Sequence, residues 1–276
     1  MKNRFGSRRT RGGSSSQGAT ASSAKRSESR IAEGVPLAMI LKREIRPSPE
    51  LVMLVNSRSI SAERFRRLKT RLVHQYDPCV MVVTSGIPQE GKSTVSFNLA
   101  LAFAGESGEK TLLVDADLRR PRIGPHLNPP PKLGLSELLT EQADTPHAIL
   151  HIEGSSLDIL PAGEMPPRDP IDLLASARTK RLFGELRDQY ARIIIDSPPI
   201  IPFTDADVLG HISDGMILVT RAGFTPKGVY SQALECITSA RVLGAVLNAA
   251  SAGVIRGESS YDRYYRDYYD KERTRL

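Results

Sequence analysis

The chain has 276 residues, 40% of them hydrophobic, and a formal net charge of +7. That length can bury a sizeable core in one large domain or two small ones. Its two cysteines, Cys79 and Cys236, are far apart and exclude a disulfide framework and a CxxC metal site. No apolar run approaches the roughly eighteen residues of a membrane span. Residues 1–30 hold eight Lys or Arg against one acid, Glu28, and the remaining chain holds thirty charges of each sign. The basicity therefore belongs to one arm. That arm is rich in Ser, Gly and Arg and cannot bury enough apolar area to offset its ordering entropy, so it reads as disordered. It lacks the apolar stretch of a signal peptide, and a cytoplasmic protein is the simplest reading. Eight cations on such an arm suit a polyanion. That polyanion is either an anionic inner leaflet, where each basic residue contributes ~1 kcal/mol, or nucleic acid, with a plain solubilising tail as the bland alternative.

Residues 31–60 read as a linker, with the proline-broken stretch REIRPSPE between two short apolar pieces. From 61 a helical pattern begins, with Ser61 expected as N-cap before AERFRRLKTRLV. From Cys79 onward apolar runs alternate with helical stretches. CVMVVT, TLLVDA, LDIL, ARIIID, GMILVT and GAVLN are short, rich in β-branched residues and nearly continuous, as strands buried on both faces are. STVSFNLALAFAGE, TKRLFGELRDQY and PKGVYSQALECITSARVLG read as helices between them. The alternation predicts an α/β domain over 61–250: a doubly wound, mostly parallel sheet flanked by helices. After Asn248 the pattern dissolves into a flexible tail, 251–276.

The stretch SGIPQEGKST follows the first strand and precedes a helix, and GIPQEGKS fits G-x-x-x-x-G-K-[ST] in full. Gly86 and Gly91 let backbone N–H groups close around phosphate oxygens, and the helix N-terminus adds a favourable dipole. Lys92 reaches the β/γ-phosphates, the Ser93 hydroxyl can ligate Mg²⁺, and Thr94 completes the nucleotide-binding run. Asp115 and Asp117 fall at the end of the next strand, where ligands bind in open α/β sheets. Asp196 ends a third apolar strand, in the position of a carboxylate that helps hold Mg²⁺. Taken singly, each would be an ordinary turn residue. Ile87 stands where partition and septum-placement ATPases carry a second lysine. His147 and His151, four apart on an expected helix, lack a third ligand and read as surface or packing residues. The acidic run DADV at 205–208 reads as helix capping and packing.

With these residues in place the chain resembles a bacterial tyrosine kinase (BY-kinase) of the capsular and exopolysaccharide biosynthesis family, over about 61–250 plus the tail. The family's loop, its hydrophobic strand with DxDxR, its Walker-B strand and its LPAG segment are matched by SGIPQEGKST, LLVDADLRRP, IIIDSPP and LPAGEMPP. Asp205 and Ala206 match the family's "DA", and Asn248 its contact to the base. The resemblance implies an ATP- and Mg²⁺-dependent protein-tyrosine autokinase regulating surface-polysaccharide polymerisation or export. Lys92, Asp115 and Asp117 would be catalytic, with Asp117 accepting the tyrosine proton. Ser93, Asp115 and Asp196 would serve the metal. A separate membrane-spanning co-polymerase or adaptor is the implied partner, recruiting the chain to the inner face of the membrane, and nucleic acid is not.

The family's oligomer-forming helix pattern E-x-x-R-x-x-R is met at Glu63 and Arg66, but Lys69 stands third and lacks arginine's bidentate geometry. The bland reading of that helix is a solvated face with a Glu63–Arg67 pair. Five of the chain's eight tyrosines, Tyr261, Tyr264, Tyr265, Tyr268 and Tyr269, lie in the last sixteen residues. Their spacing also describes one helical face, so an aromatic docking stripe competes with phosphoryl acceptance. Every member is tyrosine, which packing alone would not demand. The twelve residues from Gly253 to Tyr265 extend roughly 40 Å, enough to reach a neighbouring subunit's site in a ring. Two rivals remain at this point: a partition or positioning ATPase using its basic arm on DNA or membrane, and a non-catalytic nucleotide-gated scaffold.

Overall fold

The computed structural model describes residues 41–250 apart from Ser107. Both expected tails, 1–30 and 251–276 with the five tyrosines, lie outside the described residues, as do residues 31–40. In chain order the elements are β1 (Leu41–Ile45), α1 (Val52–Val55), α2 (Ile60–Gln75), β2 (Val80–Ser85), α3 (Lys92–Glu106), β3 (Thr111–Asp115), β4 (Leu127–Asn128), α4 (Leu135–Leu139) and α5 (Thr145–Ala148). There follow β5 (Leu150–Ile152), β6 (Leu157–Leu160), α6 (Pro170–Leu174), α7 (Ala177–Arg187), β7 (Arg192–Asp196), α8 (Asp205–Gly210), β8 (Gly215–Arg221), α9 (Lys227–Glu235) and β9 (Val242–Asn248).

These nine strands make one sheet in the order β4-β1-β5-β6-β3-β7-β2-β8-β9. The six runs from β6 to β9 pair in parallel. Their period of two sorts side chains between the faces. Val80, Val82, Leu112, Val114, Ile193 and Ile195 pack with Phe183, Leu186 and Leu209 on the α7 and α8 side. Met81, Val83, Leu113 and Ile194 pack with Leu72, Phe97 and Phe103 of α2 and α3 on the other. Both faces are covered, which is why the strands carry no polar alternation.

Part of the expected linker belongs to the domain. Residues 41–45 form a strand parallel to β5 and antiparallel to β4, and Leu51 is buried. The polar letters of LKREI hid this strand, because it lies beyond the doubly covered centre of the sheet. Helix α2 starts two residues earlier than expected. Its N-cap is Ser59, whose hydroxyl accepts from Ala62 N at 3.1 Å, and Ser61 lies inside the helix. Helix α9 ends at Glu235 rather than running on to 244. The Asp207 carboxylate takes Thr238 N at 2.8 Å and Ser239 N at 3.0 Å, drawing the backbone out of the helix. His147 and His151 do not share a helix. His151 lies in β5 and its Nδ1 pairs with Asp158 Oδ1 at 2.7 Å, while His147 pairs with Asp144.

Candidate active site

The loop between β2 and α3 is built from its own acid. Glu90, 1% exposed, accepts Ile87 N at 2.8 Å and the Thr225 hydroxyl. Such a carboxylate folded back into the loop fixes the curve that leaves backbone N–H groups facing inward. Gly91 has φ +89°, and a Cβ there would come within 2.0 Å of Asn248 Nδ2. Gly86 lies under α9, where an added Cβ would meet Ala233 and Val229 at 3.2 and 3.3 Å. Each glycine is therefore required by close approach as well as by phosphate access. Asn248, expected at the base, spends its side chain on the loop: Nδ2 donates to Glu90 O at 2.9 Å and Oδ1 accepts Ala249 N at 2.8 Å.

Strand register brings the three expected carboxylates to one floor. Asp115 and Asp196 are paired neighbours in β3 and β7, and both are fully buried. Lys92 Nζ, first in α3, lies 2.8 Å from Asp117 Oδ2 and 3.9 Å from Asp196 Oδ2. Its hydrogen bond to Ser93 Oγ is 3.4 Å. Burial would lower the lysine pKa, but Asp196 and Asp117 outweigh it and hold the ammonium charged. Asp115 is different in kind. Its Oδ1 accepts Asp117 N at 3.2 Å, and its Oδ2 accepts Arg122 N and Ile123 N at 3.0 Å each. Both oxygens shape the loop after β3. Burial, and next the neighbouring Asp196, raise the Asp115 pKa to about 7.

The chemistry of the donor set fits a magnesium nucleotide. Asp196 Oδ1 accepts from Ser96 Oγ at 3.1 Å, whereas Oδ2 is buried without a hydrogen-bond partner among the described residues. A buried carboxylate oxygen without a hydrogen-bond partner, with only the Lys92 ammonium at 3.9 Å, suits a cation. No group of three His, Cys, Asp or Glu among the described residues forms a metal site by itself. Magnesium needs no such cage, because one or two carboxylates plus phosphate oxygens and waters suffice. Thr94 is half-buried on the first turn of α3.

A family described as an AAA domain matches residues 88–241. The tyrosine-protein kinase YwqD of Bacillus subtilis is 34% identical over 218 residues, covering 77% of this chain and 91% of that protein. The chain belongs to the bacterial tyrosine-kinase family. The solved kinase domain of the Escherichia coli tyrosine kinase ETK superposes with a TM-score of 0.67 at 28% identity, covering 73% of this chain and 82% of that one. The succinoglycan biosynthesis transport protein ExoP of Rhizobium meliloti is 32% identical over 223 residues, and there the chain spans only 28% of the relative's length. These matches favour the tyrosine-kinase expectation over the partition-ATPase one.

Some participants were not expected. Ser96 lies one turn beyond the loop motif, and a serine inside a helix carries no signal of its own. Glu90 was visible as the acid of the loop, but its inward turn depends on Thr225, 135 residues away. Arg119 was quoted within a motif without a task, and Asp205, read as helix capping and packing, pairs with it at 3.1 Å. The expected oligomer contacts Glu63, Arg66 and Lys69 lie on α2. Arg66 holds Glu63 at 3.3 Å and Ser57 O at 2.7 Å, and Lys69 Nζ donates to Ala102 O at 3.2 Å.

Proposed function

We propose that the chain transfers the γ-phosphoryl group of ATP to tyrosine hydroxyls, first those of its own residues 261–269. The observation that carries this reading is the Lys92–Asp117 pair on the floor of the phosphate loop. Lys92 is the cation that phosphates would draw off, and its departure frees Asp117 Oδ2. Asp117 then accepts the proton of an incoming phenol, whose ordinary pKa of ~10 keeps it protonated at neutral pH. The phenol oxygen bonds to the γ-phosphorus, the bond from that phosphorus to the bridging oxygen breaks, and ADP leaves. Bound Mg²⁺ would supply charge neutralisation at the phosphates, and Ser93 and Asp196 are the side chains that would hold it. Asp115 fixes the loop that aims Asp117.

The same reading includes a separate membrane-spanning co-polymerase as partner, recruitment of the chain to the inner face of the membrane, and a ring in which tails are phosphorylated between subunits. No helix among the described residues is long and apolar enough to cross a membrane. The test is phosphotyrosine mass spectrometry on protein made in cells lacking other tyrosine kinases. Lys92→Ala is expected to abolish nucleotide binding and phosphotyrosine together. Asp117→Asn is expected to keep most nucleotide affinity and lose transfer by about 10²-fold or more. Equal phosphotyrosine in wild type and Lys92→Ala would sink the assignment.

A further inference from the structure

Arg119, two residues beyond Asp117, is tied to three loops at once. Its Nε donates to Asp205 Oδ1 at 3.1 Å, and one terminal nitrogen donates to Asp205 Oδ2 at 3.3 Å and Asp169 Oδ1 at 2.8 Å. Its guanidinium carbon lies 4.6 Å from the Phe203 ring centroid. Asp205 is 1% exposed, so this is a partly desolvated, bidentate clamp of the kind arginine makes and lysine does not. It fastens the loops that follow β3, β6 and β7. Pro121, Pro166, Pro167 and Pro202 stiffen the same loops.

Strand order gives these loops their side of the site. The phosphate loop follows β2, and Asn248 closes over it from β9. The nucleotide side is therefore β2, β8 and β9, and the fastened loops lie beyond Asp117 over β7, β3 and β6. That is the side from which a phenol reaches Asp117. Apart from Asp169, whose charge Arg119 takes up, the exposed charges there are Arg120, Arg122 and Arg168 against Glu164 and, on α6, Asp172. Two of the arginines are held by their backbones to the floor itself. Arg120 N donates to Asp117 Oδ1 at 2.9 Å and Arg122 N to Asp115 Oδ2 at 3.0 Å. Arg168 adjoins Asp169, the residue that Arg119 grips.

We infer that this clamped rim selects acceptor tyrosines by charge, taking a phenol flanked by Asp, Glu or phosphotyrosine over one flanked by Arg. The inference rests on the proposed kinase reading and adds an order to it. In the tail, Tyr261, Tyr268 and Tyr269 each adjoin an aspartate, namely Asp262, Asp267 and Asp270. Tyr264 and Tyr265 adjoin Arg263 and Arg266 instead. The first three are therefore phosphorylated first. Each phosphate then brings about −1.5 to −2 charges, and this turns the neighbourhood of Tyr264 and Tyr265 acidic enough to follow.

The experiment offers the full chain, with ATP and Mg²⁺, a set of peptides spanning residues 258–276 with one tyrosine each and phenylalanine at the others. At low salt the Tyr268 peptide is expected to exceed the Tyr264 peptide in kcat/KM by roughly threefold to twentyfold, the yield of two or three exposed ion pairs. Changing Asp267 and Asp270 of the peptide to Arg should erase that lead. The lead should also shrink at 1 M salt, where screening acts within about 3 Å. Arg120→Glu with Arg122→Glu in the kinase should reverse the preference, with retained affinity for a fluorescent ATP analogue reporting an intact fold. Equal rates for all peptides overturn the inference and leave the kinase reading standing, as does a preference that the reversed rim does not change. Absence of phosphate from every peptide and from the chain's own tyrosines overturns the kinase reading and this inference with it.

Discussion

At the scale of residues, one ammonium among three buried carboxylates makes the site a proton-binding centre even without ligand. Asp115 stands at about 7 because of burial first and Asp196 second, and burial raises Asp196 in the same direction. A carboxyl raised on folding keeps its proton in the native state where the unfolded chain, with an ordinary value near ~4, has lost it. Its contribution is full below that ordinary value and disappears as pH climbs through about 7. The native chain thus binds more protons across this window, and stability falls by at most ~1.4 kcal/mol per pH unit for one such group. Asp207 and Asp214 oppose this trend only at more acid pH. Burial pushes both up, but hydrogen bonds from Thr238 and Ser239 to one, and from Val80 and Arg187 to the other, hold them low. Guanidinium unfolding of the ligand-free chain is expected to show less stability at pH 7.5 than at pH 5.5. A flat or rising profile over that span would contradict the protonation assigned to Asp115. The loop motif and strand-end aspartates made this floor legible in the sequence. The sharing of labour among the acids was not, because it depends on which backbone N–H groups the loop after β3 turns toward Asp115.

At the scale of elements, continuous apolar runs identified the parallel strands β6, β3, β7, β2 and β8, since a strand covered on both faces has only one way to read, and with them the exposed edge strand β9, whose letters are apolar all the same. The outer strands escaped for the converse reason. LKREI and LHI sit away from the doubly covered centre, and each carries polar residues that a central strand would not. Helix ends were ambiguous where two equivalent groups compete, as Ser59 and Ser61 do. The observed cap predicts an asymmetry. Ser59→Ala removes the acceptor for Ala62 N and is expected to cost about 1 kcal/mol. Ser61→Ala changes an exposed residue inside α2 and is expected to lie within roughly 0.5 kcal/mol of wild type. Urea midpoints of the two variants with an unchanged slope give both numbers, and equal losses would contradict Ser59 as the cap.

At the scale of the whole molecule, the tail departs after β9, whose last residue Asn248 locks the chain's own phosphate loop. To meet its own Asp117 from the β3 side, a tail leaving there must pass around the bound nucleotide. That detour is the physical reason to expect transfer in trans, with the phenol supplied by the tail of another subunit. The proposed ring also gives α2 a task beyond its internal contacts. Once no acceptor phenol is left to bind, the accumulated tail phosphates would repel one another and the three carboxylates of the site, which favours release of the tail and dissociation of the ring. Two measurements follow from one mixture. A full-length Lys92→Ala chain is combined with an active chain truncated after Gly257, so that the only tail belongs to the inactive partner. Phosphate is expected on Tyr261, Tyr268 and Tyr269 of the inactive chain, at an initial rate that rises with the concentration of the active one. In the wild type, light scattering before and after ATP is expected to show a fall in mass as phosphate accumulates. Phosphorylation of the wild type that is independent of protein concentration, with none on the inactive chain in the mixture, would establish transfer within one chain and remove the ring from the mechanism.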